Sequence, residues 1–143
     1  LATRSAAFAG VRLFGQGVAD RAVKVAVGTA GDIHNVHFAL SHLQMDVQPL
    51  AIVRGDEGLP GKPEPAIFLE AARRIDVLPQ HCIVFEDAPF GIEAARRAGM
   101  RAVAVCSTHS PAQLAGPHVL AAVRDYTELM NTDFLESIHV ATV

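Results

Sequence analysis

Four short apolar runs punctuate the chain, at residues 23–28, 50–53, 82–85 and 102–105, each bounded by polar or glycine-containing turns. Runs of this length, rich in Val, Ile and Ala and without polar alternation, predict strands buried on both faces. Between them, residues 32–43, 65–75 and 91–98 repeat apolar positions every three or four residues, which predicts helices. Several ends are marked chemically. Asp32 is placed to cap the first helix, Gly99 falls where a left-handed C-terminal cap belongs, and Ser110 before Pro111 predicts another short helix. The segment 54–62 holds Gly55, Gly58, Pro60 and Gly61, which predicts a loop without a regular element. Past Val119 the pattern weakens to a short strand and helical turns over 126–138. Residues 1–22 are hard to assign, because Gly15 and Gly17 interrupt a helix leading into the first strand. Strands alternating with helices predict an α/β domain, a Rossmann-like parallel sheet flanked by helices with right-handed crossovers.

Composition narrows the class without changing that architecture. The chain has 143 residues, 50% of them hydrophobic and 19% charged, with a formal net charge of −3. This is the profile of one compact soluble domain rather than of a disordered chain. No apolar run approaches the ~18 residues of a membrane span. Mild acidity leaves no electrostatic footprint for nucleic acid or an anionic membrane surface, so neither partner is expected, and nothing fixes the oligomeric state. Cys82 and Cys106 lie in apolar runs and are expected to be core thiols of a cytoplasmic protein, not a disulfide framework. Position 1 is Leu, and the first ten residues lack the layout of a secretory signal, so the start is expected to be a cut.

In a doubly wound sheet, ligands sit beyond the C-terminal ends of the strands. At the ends of the first three predicted strands stand Thr29 in a Gly28-Thr29-Ala30-Gly31 turn, Lys62 in a glycine-rich loop, and the pair Glu86-Asp87. A hydroxyl near a helix N-terminus suits phosphate oxygens, an ammonium offsets phosphoryl charge, and hard carboxylate oxygens suit Mg²⁺. Each residue also has a plainer explanation. Thr29 suits any turn, Lys62 any solvated loop, and the acidic pair could cap a helix. Lys62 gains weight because the chain has ten Arg but only two Lys, Lys24 and Lys62, and a compact point charge is what a phosphoryl site needs. His34, His37 and His42 share a predicted helix but point about 60°, 80° and 140° apart, too dispersed for a tetrahedral metal site. Phe68, Phe85, Phe90 and Met100 are expected in the core, Asp56-Glu57 in an exposed loop, and Arg73-Arg74 and Arg96-Arg97 on helix surfaces.

The run Gly61-Lys62-Pro63-Glu64-Pro65-Ala66-Ile67-Phe68, succeeded by residues 84–100 with Glu86-Asp87-Ala88-Pro89-Phe90-Gly91, resembles the third and fourth motifs of the haloacid dehalogenase superfamily. The likeness is to its β-phosphoglucomutase-like and sugar-phosphatase branch. Residues 25–31 are similar to the family's second motif, and the spacings of 33 residues from Thr29 to Lys62 and 24 from Lys62 to Glu86 fit its layout. The resemblance implies that Thr29 and the Ala30 N–H bind the transferring phosphoryl group and that Lys62 steadies it and the nucleophile. It further implies that Glu86 and Asp87 hold Mg²⁺, with Asp87 the firmer assignment, and that the substrate is a small phosphorylated metabolite.

Family members form a phosphoaspartate on an Asp-x-Asp motif, and no Asp-x-Asp occurs in this sequence. The resemblance therefore implies an incomplete core that lacks the first strand and the cap domain. Residues 1–22 would be the linker and first helix after the cap, and residues 23–143 the partial core. The absent strand is central in the family's sheet, so a gap is expected between the strands near Val23 and Cys82. The intact protein is expected to be a Mg²⁺-dependent phosphatase, with a hexose-phosphate phosphomutase as one rival and a noncatalytic binding module as another. A phosphoacceptor receiver domain uses similar groups in a different order, with acidic residues first and Lys last.

Overall fold

Among the residues that the computed structural model describes, 21, 23–29, 50–134 and 136, all strand pairing is parallel. Strand β1 (Ala26–Gly28) pairs with β2 (Ala51–Val53). The Leu50 N–H donates to Val25 O at 2.8 Å and the Thr29 N–H to Val53 O at 3.0 Å, which carries the ladder past both ends. A second sheet holds β3 (Ile83–Glu86), β4 (Arg101–Val105) and β5 (Val119–Val123), with β4 in the middle. Helices α1 (Ala66–Arg74), α2 (Pro89–Arg97) and α3 (Tyr126–Met130) complete the α/β arrangement expected from the alternating pattern. Among the described residues, β1 and β3 belong to separate sheets, so the hydrogen-bonded order breaks between them.

The core explains why the strands read as continuous apolar runs. On β4, Ala102 and Ala104 join Ile92, Ala94 and Ala95 of α2 and Ala98 just after it, while Val103 between them packs with Val123, Leu129 and Phe134 on the other face. Alternate residues of a strand point to opposite faces, so a strand covered on both sides has no place for polar residues. Helix α1 joins the two sheets through neighbouring stripes. Its Ile67 and Ala71 pack with Val53 under β1 and β2, and its Phe68 and Ala72 enter the cluster shared with α2. Pairs four residues apart lie on one face of a helix, which is why each stripe reaches a different sheet.

Several local expectations shift. Helix α2 begins at Pro89, two residues earlier than its periodicity suggested, because proline is tolerated in the first turn, where its missing N–H has no partner to lose. Gly99 does adopt a left-handed backbone, φ 75°. The 54–62 loop contains one 3₁₀ turn, Gly55–Glu57. The Glu57 carboxylate holds it by accepting the Arg54 N–H at 2.6 Å and pairing with Arg74, so Glu57 is half-buried rather than an exposed loop residue. The segment after Ser110 is a hydrogen-bonded turn instead of a helix, since Gly116-Pro117 comes too soon for continuation. Phe68 and Met100 are buried and Phe85 is half-buried, but Phe90 is 65% exposed and does not belong to the core. It lies in the first turn of α2, and the face of that helix that meets the sheet carries Gly91, Ile92, Ala94 and Ala95 instead. Arg73, Arg74, Arg96 and Arg97 lie on the surface as expected.

Cys82 and Cys106 are free thiols, half-buried against the α2 cluster. Ala30, the 32–43 segment with its three histidines, most of residues 1–22 and the chain beyond Glu136 lie outside the described residues. No helix among the described residues is long and apolar enough to cross a membrane.

Candidate active site

Three chain segments reach one edge through the ends of parallel strands. Thr29 comes directly after β1, the loop leaving β2 carries Lys62 across a cis Lys62–Pro63 peptide, and β3 ends in Glu86 before Asp87. The Lys62 ammonium sits between the two sheets. It donates to Glu86 Oε2 at 2.9 Å and lies 3.5 Å from Gly28 O, the residue beside Thr29, with the Phe68 ring 4.8 Å away. The Lys62 and Glu86 side chains are only 17% and 10% exposed, so this ion pair is largely withdrawn from water. A shielded pair is less screened than a surface one, and losing one partner leaves the other's charge uncompensated.

Glu86 is held on three sides. Oε2 meets Lys62, Oε1 accepts the Asp87 N–H at 3.1 Å, and the side chain lies over Gly91. A Cβ at Gly91 would fall 1.9 Å from Glu86 Cδ, so the close approach requires glycine at that position. Burial pushes the Glu86 carboxyl above its ordinary range, the Lys62 ammonium opposes that shift, and the neighbouring Asp87 charge adds to it. Asp87 itself is exposed. The capping explanation for this acidic pair does not apply, because Ala88 occupies the N-cap of α2 and no side chain bonds there.

The structure thus brings Lys62 and Glu86 into contact, with Asp87 adjoining them and Thr29 next to the carbonyl that Lys62 approaches; Ala30 lies outside the described residues. Neighbours that the sequence did not single out complete the site. Tyr126 stacks on Phe85 at 5.8 Å, and burial together with the Asp87 and Glu86 charges raises its phenol to about 12. His109, in the loop after β4, contacts the Asp87 carbonyl through Nδ1 at 3.2 Å. The rule that ligands sit beyond strand ends applies to the loop after β4 as much as to those after β1, β2 and β3, and it would have found His109. Tyr126, three residues past the end of β5, falls under the same rule, whereas Gly91 leaves no such signal, because its role depends on packing.

The donor set suits a hard cation in part. Mg²⁺ takes one or two protein carboxylates and keeps other positions for water and phosphate. Asp87 offers an exposed carboxylate, whereas both oxygens of Glu86 already have protein donors. Among the described residues no group of three or more His, Cys, Asp or Glu side chains converges.

Known proteins resemble the chain in sequence and in fold. The chain is 46% identical over 81 residues to the fructose-1-phosphate phosphatase YqaB of Escherichia coli (strain K12), covering 57% of this chain and 43% of that protein. It is 36% identical over 107 residues to a validoxylamine A 7'-phosphate phosphatase of Streptomyces hygroscopicus subsp. limoneus, covering 75% and 49%. In structure it matches the β-phosphoglucomutase of Clostridium difficile with a TM-score of 0.74 at 26% identity, over 91% of this chain and 55% of that one. The chain therefore spans about half the length of the relatives it matches. Together with a match of residues 2–99 to the haloacid dehalogenase-like hydrolase family, these likenesses show that the chain belongs to that family.

Proposed function

We propose that the intact protein is a Mg²⁺-dependent phosphatase acting on a small phosphorylated metabolite of the sugar-phosphate class. The observation that carries this reading is the shielded Lys62–Glu86 pair at 2.9 Å, beside Gly28 and Thr29 on one side and Asp87 on the other. The phosphatase activities named for the two relatives support it. In this reading residues 1–22 lead into a partial core formed by residues 23–143, and the nucleophile is an Asp supplied from outside this chain. That Asp attacks phosphorus in line as the P–O bond to the substrate breaks, and the second Asp of the same Asp-x-Asp motif gives the leaving oxygen its proton. The second Asp then takes a proton from the water that hydrolyses the aspartyl phosphate. The break between β1 and β3 among the described residues supports this assignment, because the resemblance puts the nucleophile's strand there.

The chain's own residues bind and orient. The Thr29 hydroxyl and the Ala30 N–H donate to phosphoryl oxygens, and Lys62 offsets their charge while steadying the attacking carboxylate. Glu86 fixes the Lys62 ammonium, and Asp87, with Glu86 as a second candidate, holds Mg²⁺. Bound Mg²⁺ would supply further charge neutralisation at the phosphoryl group. The Clostridium difficile likeness favours a second reading, a phosphomutase of a hexose phosphate.

A panel of sugar phosphates assayed with the intact protein tests the choice, since a mutase isomerises and a phosphatase releases inorganic phosphate. Lys62→Ala is expected to lower kcat about 10²-fold or more and, because Glu86 loses its partner, to lower the unfolding temperature without preventing folding. Lys62→Arg is not expected to restore it, because a planar fork does not replace a compact ammonium. Asp87→Asn is expected to raise the half-saturating Mg²⁺ concentration. Wild-type turnover in Lys62→Ala, or an unchanged metal titration in Asp87→Asn, would remove that residue from the site.

A further inference from the structure

We propose that His109 is a positioning residue for Asp87, holding that residue's main chain so that its exposed carboxylate is presented in one orientation. The inference rests on the reading of Asp87 as a Mg²⁺ ligand.

Both main-chain polar groups of Asp87 are engaged by side chains. Its N–H donates to Glu86 Oε1 at 3.1 Å, and its carbonyl oxygen lies 3.2 Å from His109 Nδ1. A carbonyl has no proton to give, so this bond requires the proton on Nδ1 and fixes the imidazole tautomer. The Thr108 hydroxyl oxygen lies 3.0 Å from the same nitrogen. The N-cap of α2, Ala88, adds no side-chain bond to this turn, and its carbonyl accepts the Gly91 and Ile92 N–H groups, both at 3.1 Å.

The loop that carries His109 is itself anchored at both ends. Before it, the Cys106 N–H donates to Val123 O at 2.7 Å. After it, Ser110 and Gln113 cap each other reciprocally, at 2.8 and 3.3 Å, and Leu114 is fully buried. Because Glu86 on β3 pairs with Ala104 on β4, the loops leaving these strands emerge side by side, and His109 bridges them. Mg²⁺ demands near-ideal octahedral geometry, so a ligand whose backbone is loosened binds it less well.

Mn²⁺ binding to the intact protein, followed by electron paramagnetic resonance of the free ion, tests the role without turnover. His109→Ala is expected to weaken binding about tenfold while leaving the unfolding temperature unchanged. His109→Asn, whose amide N–H occupies the place of Nδ1–H, is expected to restore it. Wild-type binding in His109→Ala, or equal loss in the Ala and Asn variants, would overturn the positioning role. Asp87→Asn measured alongside separates the two claims. If it too binds Mn²⁺ like the wild type, the metal reading of Asp87 fails and takes this inference with it. If it loses binding while His109→Ala does not, only the positioning role fails.

Discussion

Gly91 is the third residue of α2, where alanine would ordinarily gain about 1 kcal/mol over glycine. Steric contact opposes that gain, because the added Cβ would meet the Glu86 carboxyl group. The flexible Glu86 side chain yields more easily than the helix, and in yielding it gives up its contact with Lys62. Gly91→Ala is therefore expected to lose about tenfold or more in kcat, with some loss of stability because the shielded ion pair parts. Thermal unfolding and turnover on the same sample check this, and full turnover would show that the Lys62–Glu86 contact is dispensable. At this scale the sequence singled out Thr29, Lys62, Glu86 and Asp87, because each follows an apolar run and carries a chemistry suited to phosphate or metal, and the structure brings Lys62 and Glu86 into contact. It did not reveal that Glu86 faces Lys62, since a separation of 24 residues says nothing about which side chain an ammonium meets. Phe90 departs from expectation for a related reason: hydrophobicity records what a residue prefers, and only packing records whether the helix face it occupies is covered.

Helices α1 and α2 carry the same surface device. Glu70 is bonded by Arg73 and Arg74, and Glu93 by Arg96 and Arg97, which hold both carboxyls down at about 2. A carboxyl whose folded-state value is depressed contributes stability above its ordinary value near 4.5, and that contribution is lost as pH falls toward about 2. Both groups are half-buried at the protein surface, where solvent and salt screen the effect. Glu93→Gln is expected to lower the unfolding temperature by no more than about 3 °C at pH 6, with the difference closing by about pH 2. Scans of wild type and variant across that range check the sign, and a gap that stays open at the acid end would mean that Glu93 acts other than through its charge. Element type and order were legible because periodicity survives in a single sequence: the helical repeat in α1 and α2, and unbroken apolar runs in β1 to β4. Boundaries were less so. Pro89 reads as a breaker unless its place in the first turn is known, and the Gly55–Glu57 turn depends on an Arg74 contact that lies far along the chain.

For the molecule as a whole, the two sheets are tied by α1, which packs into both, and by Lys62, which reaches from the loop after β2 to the end of β3. With β1 and β3 in separate sheets among the described residues and no Asp-x-Asp in the sequence, residues 1–143 alone are expected to hydrolyse p-nitrophenyl phosphate no faster than background, whereas the intact protein is expected to turn it over. Robust turnover by residues 1–143 would place the nucleophile within them. The sequence by itself determined the α/β class, the order of the elements and the residue types that stand at the strand ends, because burial on two faces and helical periodicity are properties of local composition. Only the tertiary structure decided that Lys62 meets Glu86, that Gly91 must lack a side chain, that Phe90 is exposed and that His109 reaches Asp87. Each of these is settled by how strands and helices pack against one another, which the residues of any one segment do not encode.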